Sequence, residues 1–281
     1  FEDNRKIKTI ELDYFKKYQE KHDFKFKNHA VIKNHFFPID YQIPANKIIF
    51  YHSEINNKHI WVSSNVGMFE LDLHGNLLSY HPIHVYYFTI LNNKIVAAVP
   101  YAGVRVFHDI HNMKYDYNHD WKNAQIPTLV VSIAKTENAV YFASALNGLF
   151  ELKNGKYRSL LLDKSFLEAK IKSICSFQND KLAVVTDYND VYILDLSEPR
   201  IKILKHISYD KIKGSSTNFL HEINGVLYIG TNEGINVFKN NKYYFIDKSQ
   251  GFKNFNSVMA THSGNNLFIA TNQGFYEINN N

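Results

Sequence analysis

From about residue 46 onward, apolar and polar residues alternate with a period of two, in short runs broken by Gly, Asn and Asp. That rhythm places successive side chains on opposite faces of an extended strand, whereas a helix would repeat at about 3.6. One phrase recurs: an apolar strand, a short polar turn usually ending in glycine, and a second, alternating strand. It reads IWVSSNVGMFEL at 60–71, IVAAVPYAGVRVF at 95–107 and VYFASALNGLFEL at 140–152. It returns as LAVVTDYNDVYIL at 182–194, LYIGTNEGINVF at 227–238 and LFIATNQGFYEI at 267–278. The first strand of each phrase is nearly continuously apolar, as expected of a strand covered on both faces.

Anchored on Gly67, Gly103, Gly148, Asp190, Gly234 and Gly274, the copies lie 36, 45, 42, 44 and 40 residues apart. A period of roughly 40–45 residues with four strands per unit predicts an all-β fold, a β-propeller of four-stranded antiparallel blades. The fifth unit displays every strand. Residues 218–223 lead through the type I′ signal Asn224-Gly225 into 226–230, the turn 231–234 opens the third strand, and Asn240-Asn241 leads into 242–246. Glycine at the turn supplies a backbone conformation that other residues adopt at a cost, and Asp190 is read as taking that role in the fourth unit. Phe69, Phe107, Phe150, Tyr192, Phe238 and Tyr276 recur in the second strand of each phrase and are expected to pack between blades.

The sixth unit runs out at Asn281 after its third strand. Its fourth must come from elsewhere, or an open edge remains. The alternating segment 6–14 is expected to pair there and close the ring. Residues 24–45 hold strand-like pieces without a copy of the repeat, fitting an irregular seventh blade or a covering segment. Seven blades of about 40 residues would use the whole length, which favours seven over six. The six Pro and twelve Gly are dispersed, so 1–281 is expected to form one domain, with 1–45 as closing strand plus irregular or seventh blade and 46–281 as the six repeats. The first residue is Phe1, so the chain reads as a processed or excised piece; a cut from a longer propeller is the alternative.

Composition narrows the functional classes. The net charge of +5 is mild, and nine of the 32 Lys and Arg lie in residues 1–34 beside six acids. No concentrated basic stripe is present, so nucleic acid is not expected as a partner. No apolar run approaches the roughly eighteen residues that cross a bilayer, and no signal-peptide pattern occurs. Cys175 is the single cysteine; its apolar neighbours predict a buried, inert thiol.

LYIGTNEGINVFKNNKYYFIDKSQGF, LFIATNQGFYEI and NAVYFASALNGLFELKNGKY resemble the two-component regulator propeller repeat, and 60–69 fits its phrase with Trp61 at the tryptophan position. The resemblance spans about 46–281, good in units one, three, five and six and poor in two and four. It implies the extracytoplasmic sensor part of a Bacteroidetes-type histidine kinase. It further implies a periplasmic module that recognises a small molecule, often a carbohydrate, ahead of an immunoglobulin-like domain and a membrane segment, neither of which is in this sequence.

No Gly-x-Ser-x-Gly elbow, P-loop or His-Glu-x-x-His occurs, so no catalytic residue is assigned and no enzyme is expected. His81/His84 and His108/His111 are spaced three apart, which on a strand sends them to opposite sides, so no metal and no cofactor is assigned. Carboxylate pairs for sugar hydrolysis could be assembled by a ring, but no pair is singled out. Ligand recognition is expected where B–C turns and D–A connections gather on one face. The connection 117–123 carries His119, Asp120 and Trp121, an aromatic ring among amides and charges that suits stacking on a sugar or a protein contact. Trp121 could equally fold back as a plug. The connection 208–213 carries Tyr209. The turn residues Asn65, Tyr101, Asn147, Tyr188, Asn232 and Asn272 point the same way, Asn also serving turn geometry. The leading reading is a non-catalytic ligand-sensing propeller; a protein-interaction scaffold or homodimer comes second, and a propeller hydrolase or lyase third.

Overall fold

The computed structural model describes residues 7–10, 50–56, 58–64, 67–73, 77–99, 103–109, 114–116, 129–146, 148–160, 170–178, 180–197, 201–247, 249, 257–271 and 274–279. Two compact units make up the chain, Leu12–Tyr117 and Phe1–Glu11 with Asn118–Asn281. The first strand, β1 (Ile7–Ile10), belongs to the larger unit.

The smaller unit holds two four-stranded sheets in simple up-and-down order. Blade 1 is β2 (Phe50–Ile55), β3 (His59–Ser64), β4 (Met68–Asp72) and β5 (Leu77–His81). Blade 2 is β6 (Tyr87–Leu91), β7 (Lys94–Val99), β8 (Gly103–Asp109) and β9 (Lys114–Asp116). Trp61, Met68, Val85, Phe88, Ile95, Ala97 and Phe107 form their common core.

The larger unit repeats the plan four times. Blade 3 is β10 (Val130–Lys135), β11 (Ala139–Ser144), β12 (Gly148–Lys153) and β13 (Lys156–Leu160). Blade 4 is β14 (Ile171–Phe177), β15 (Lys181–Thr186), β16 (Val191–Asp195) and β17 (Lys202–Ile207). Blade 5 is β18 (Thr217–Ile223), β19 (Val226–Thr231), β20 (Ile235–Lys239) and β21 (Lys242–Ile246). Blade 6 is β22 (Ser257–Ser263), β23 (Asn266–Thr271) and β24 (Gly274–Asn279), with β1 antiparallel to β24 as its fourth strand, Ile7 opposite Ile278 and Ile10 opposite Phe275. Separate apolar clusters join blades 3 and 4, 4 and 5, and 5 and 6. The first strands of consecutive blades, β10, β14, β18 and β22, lie against one another.

Among the described residues the fold is an all-β β-propeller of six four-stranded blades, where seven were expected. The alternating N-terminal strand pairs in blade 6, and the seventh blade had been expected from the residues that follow it. Residues 24–45 lie outside the described residues.

Local chemistry explains the repetition. The second strands β11 and β19 are buried at every position, matching their continuous apolar sequence. Phe107, Phe150, Phe238 and Tyr276 are buried, each ring contributing roughly 1.5–3 kcal/mol. Tyr192 differs, remaining half-buried and stacked on His206. Both central residues of Asn224-Gly225 (φ 51° and 78°) and of Asn240-Asn241 (φ 49° and 62°) are left-handed, as type I′ turns require. At the end of the second strand a hydroxyl residue latches the next turn: Ser64 Oγ donates to the Gly67 carbonyl at 2.8 Å and Thr231 Oγ1 to that of Gly234 at 3.0 Å. In blade 4 the left-handed residue is Asn189 (φ 63°), correcting the reading of Asp190, because the Thr186 N–H closes on the Asp190 carbonyl, a loop one residue longer.

Candidate functional site

The loop end of blades 4 and 5, within the larger unit, gathers the described polar and aromatic groups that the sequence singled out. Tyr188 is 67% exposed and Tyr209 64%, large rings held in water rather than in a core. Tyr209 starts a single 3-10 turn, Tyr209–Lys211, in the connection leaving β17. Its N–H donates to Asp190 Oδ1 at 2.9 Å, which ties that connection to the turn before β16. The same oxygen lies 3.1 Å from His206 Nε2 on β17. His206 in turn stacks on Tyr192, centroids 4.5 Å apart and planes within 2°. Burial, then the Asp190 carboxylate, raises the Tyr192 phenol above its ordinary range, so it stays a neutral donor.

Two asparagines fasten the neighbouring backbone. Asn189 Nδ2 donates to the Ser215 carbonyl at 2.9 Å while its Oδ1 accepts the Thr217 N–H at 3.0 Å. Asn232 Oδ1 accepts the N–H groups of Ser215 and Ser216 at 2.9 and 3.1 Å, and Nδ2 donates to Ser215 Oγ at 3.0 Å. Asn232 therefore spends its amide on the connection entering β18, 16 and 17 positions away, rather than on its own turn. Asn236 and Lys213 exchange two more such bonds, Lys213 N to Oδ1 at 2.8 Å and Nδ2 to the Lys213 carbonyl at 2.9 Å. The result is a rigid shelf with two free-standing phenols and an Asp–His pair: a hydrogen-bonding, stacking surface.

Asn65, Tyr101, Asn147, Asn272, His119, Asp120 and Trp121 lie outside the described residues. Sequence reading missed His206 and Asp190 as a pair, since sixteen positions and a hairpin separate them. It also missed an aromatic cluster in the smaller unit, where Tyr51, His84 and Tyr86 meet with centroids 5.0–5.9 Å apart.

The buried Glu70 and Glu151 and the half-buried Glu277 are engaged inside their own sheets. Glu70 meets His59 Nδ1 at 2.7 Å and accepts from Ser79 Oγ at 2.5 Å. Glu151 accepts from Tyr141 OH at 3.1 Å and binds the Arg158 guanidinium in a fork. Glu277 accepts from Asn266 Nδ2 at 2.7 Å. His81 bonds Ser79 and stacks on Trp61, whereas His84 packs with Tyr51 and Tyr86, so this spacing does not form a pair. Among the described residues no group of three or more His, Cys, Asp or Glu converges as a metal cage. Cys175 is partly buried against the core shared by blades 4 and 5; burial, then Glu222, pushes its thiol well up.

No family model matches the chain, and no curated protein matches it. Solved structures do. A catalytically inactive virginiamycin B lyase from Staphylococcus aureus with quinupristin is similar at 13% identity and a TM-score of 0.65, over 85% of this chain and 83% of that one. YCF48 bound to D1 peptide is similar at 8% identity and a TM-score of 0.64, over 87% and 81%. A putative gluconolactonase follows at 11% identity and 0.58, over 79% and 84%. At such identities the likeness is one of fold.

Proposed function

We propose that this chain is a non-catalytic, ligand-recognising propeller, the extracytoplasmic sensor module of a two-component signalling protein, and that its ligand is a carbohydrate. The observation that carries this reading is the shelf of blades 4 and 5. Tyr188 and Tyr209 offer aromatic faces to water, and Asp190 and His206 stand beside them as polar partners. A sugar ring presents an apolar face edged with hydroxyls, which such a surface matches by stacking and hydrogen bonding. The repeat phrase that resembles two-component regulator propellers supports the sensor context. So does the engagement of Glu70, Glu151 and Glu277 within their own blades, which leaves them as framework. In this reading β1 is the closing strand, bringing the two ends of the chain into one sheet.

The second reading is a protein-interaction scaffold. Ile203, Leu204, Tyr243 and Tyr244 are exposed on the last strands of blades 4 and 5, which are sheet edges, and a structural neighbour was solved with a peptide.

The test is a thermal-shift and calorimetry screen of soluble oligosaccharides against the chain. A ligand that binds the folded form raises Tm by mass action. The expected result is a hit whose binding is lost in Tyr188→Ala and Tyr209→Ala, both exposed positions whose removal leaves Tm of the free protein unchanged. Binding that survives both substitutions refutes the shelf, and turnover of the sugar refutes the non-catalytic reading.

A further inference from the structure

We propose that His221 and His262 form a two-imidazole site for a borderline divalent transition-metal ion, Zn2+ or Cu2+, at the junction of blades 5 and 6. The side chains come from β18 and β22, first strands of consecutive blades that lie against each other. His221 Nε2 and His262 Nδ1 are 2.8 Å apart, with ring centroids 5.0 Å apart and planes inclined by 58°. Each ring sits on a paired strand, His221 opposite Tyr228 and His262 opposite Leu267, so two ladders rather than a loop set the approach. At the adjoining hairpins Asn224 Nδ2 donates to Asn265 Oδ1 at 2.9 Å, a second cross-blade bond that holds the strand ends at this spacing. His262 is exposed and His221 half-buried, so one flank of the pair opens to water.

The chemistry of the donors selects the ion. Imidazole suits Zn, Cu and Ni, while Ca and Mg require oxygen ligands. Two metal–nitrogen bonds of about 2.0–2.1 Å at a tetrahedral angle need nitrogens roughly 3.3 Å apart, so the rings part by about half an ångström. The proton that lies between them moves to the other nitrogen of its own ring; the pair loses none. Glu222, the acid next in sequence, already accepts the Gly225 N–H, so water completes the coordination and the site stays open.

The experiment titrates the chelator-treated full chain with Zn2+ and Cu2+ by calorimetry, with Cu2+ followed by electron paramagnetic resonance. The expected result is one saturable ion per chain, a Cu2+ spectrum with two nitrogen ligands, competition by Zn2+ and none by Mg2+. His262→Ala, at an exposed position, loses that ion, and His221→Gln loses the same one. Absence of saturable binding overturns the site. So does equal binding by the variants, which would place the ion on others of the fourteen histidines. Should either variant unfold, side-chain 15N resonances of the wild-type protein decide: Zn2+ must shift both His221 and His262, and a shift of neither is refutation.

Discussion

One three-residue turn occurs twice and shows how a single side chain sets local charge. Asp195 Oδ1 accepts Ser197 N at 3.0 Å and Oγ at 2.6 Å; Asp247 Oδ1 accepts Ser249 N at 2.8 Å and Oγ at 2.6 Å. The serine hydroxyl first, then its N–H, holds each carboxyl below the ordinary aspartate range. A folded pKa below the unfolded one means that the stabilisation is complete above the unfolded value and is lost as pH falls through the folded value. Carboxylate 13C titration of the native protein is expected to place both midpoints below the ordinary value, and Ser197→Ala to return that of Asp195 alone. An unmoved midpoint in the variant would refute the hydroxyl's part. At this scale the sequence was legible where residue type sets the local backbone, as in the left-handed pair Asn224-Gly225. It was not legible for Asp190, whose carboxylate meets Tyr209 and His206 only because β16 and β17 lie side by side.

Among elements, the turn entering the third strand carries the most constrained backbone. Gly67 and Gly234 share φ +149°, where side chains are strained. A Cβ at Gly67 would also stand 2.5 Å from the His81 carbonyl oxygen; at Gly234 it would collide with that of Ile246. His81 and Ile246 both end the last strand of their blades, so the glycine lets the second turn of the sheet close over its edge. At Gly155 (φ +72°) an added methyl would meet nothing within 4 Å. Gly234→Ala is therefore expected to destabilise by roughly 1–3 kcal/mol or more, and Gly155→Ala by less, in urea unfolding. Equal costs at the two positions would mean that φ alone, not the close approach, matters. The apolar run and the turn glycine were visible in the sequence; the hydroxyl latch and the glycine's approach to a carbonyl of the last strand were not, since the latter lies 12–14 positions on.

For the whole molecule, the decisive strand is β1. Its pairing with β24 covers the last edge of blade 6, and an uncovered edge is a template for other chains. Deleting residues 1–11 is expected to lower Tm and produce concentration-dependent association in light scattering. A variant that stays monomeric with unchanged Tm would show that β24 tolerates an open edge. The period of about 41 residues, the four-stranded unit and the turn chemistry were determined by the sequence itself, since hairpins are dictated by neighbours in the chain. Tertiary structure alone decided the six blades among the described residues and the meeting of His206 with Asp190, Asn232 with Ser215 and His221 with His262. These residues lie 16, 17 and 41 positions apart, and only strand pairing and blade-on-blade packing bring such side chains within hydrogen-bonding reach.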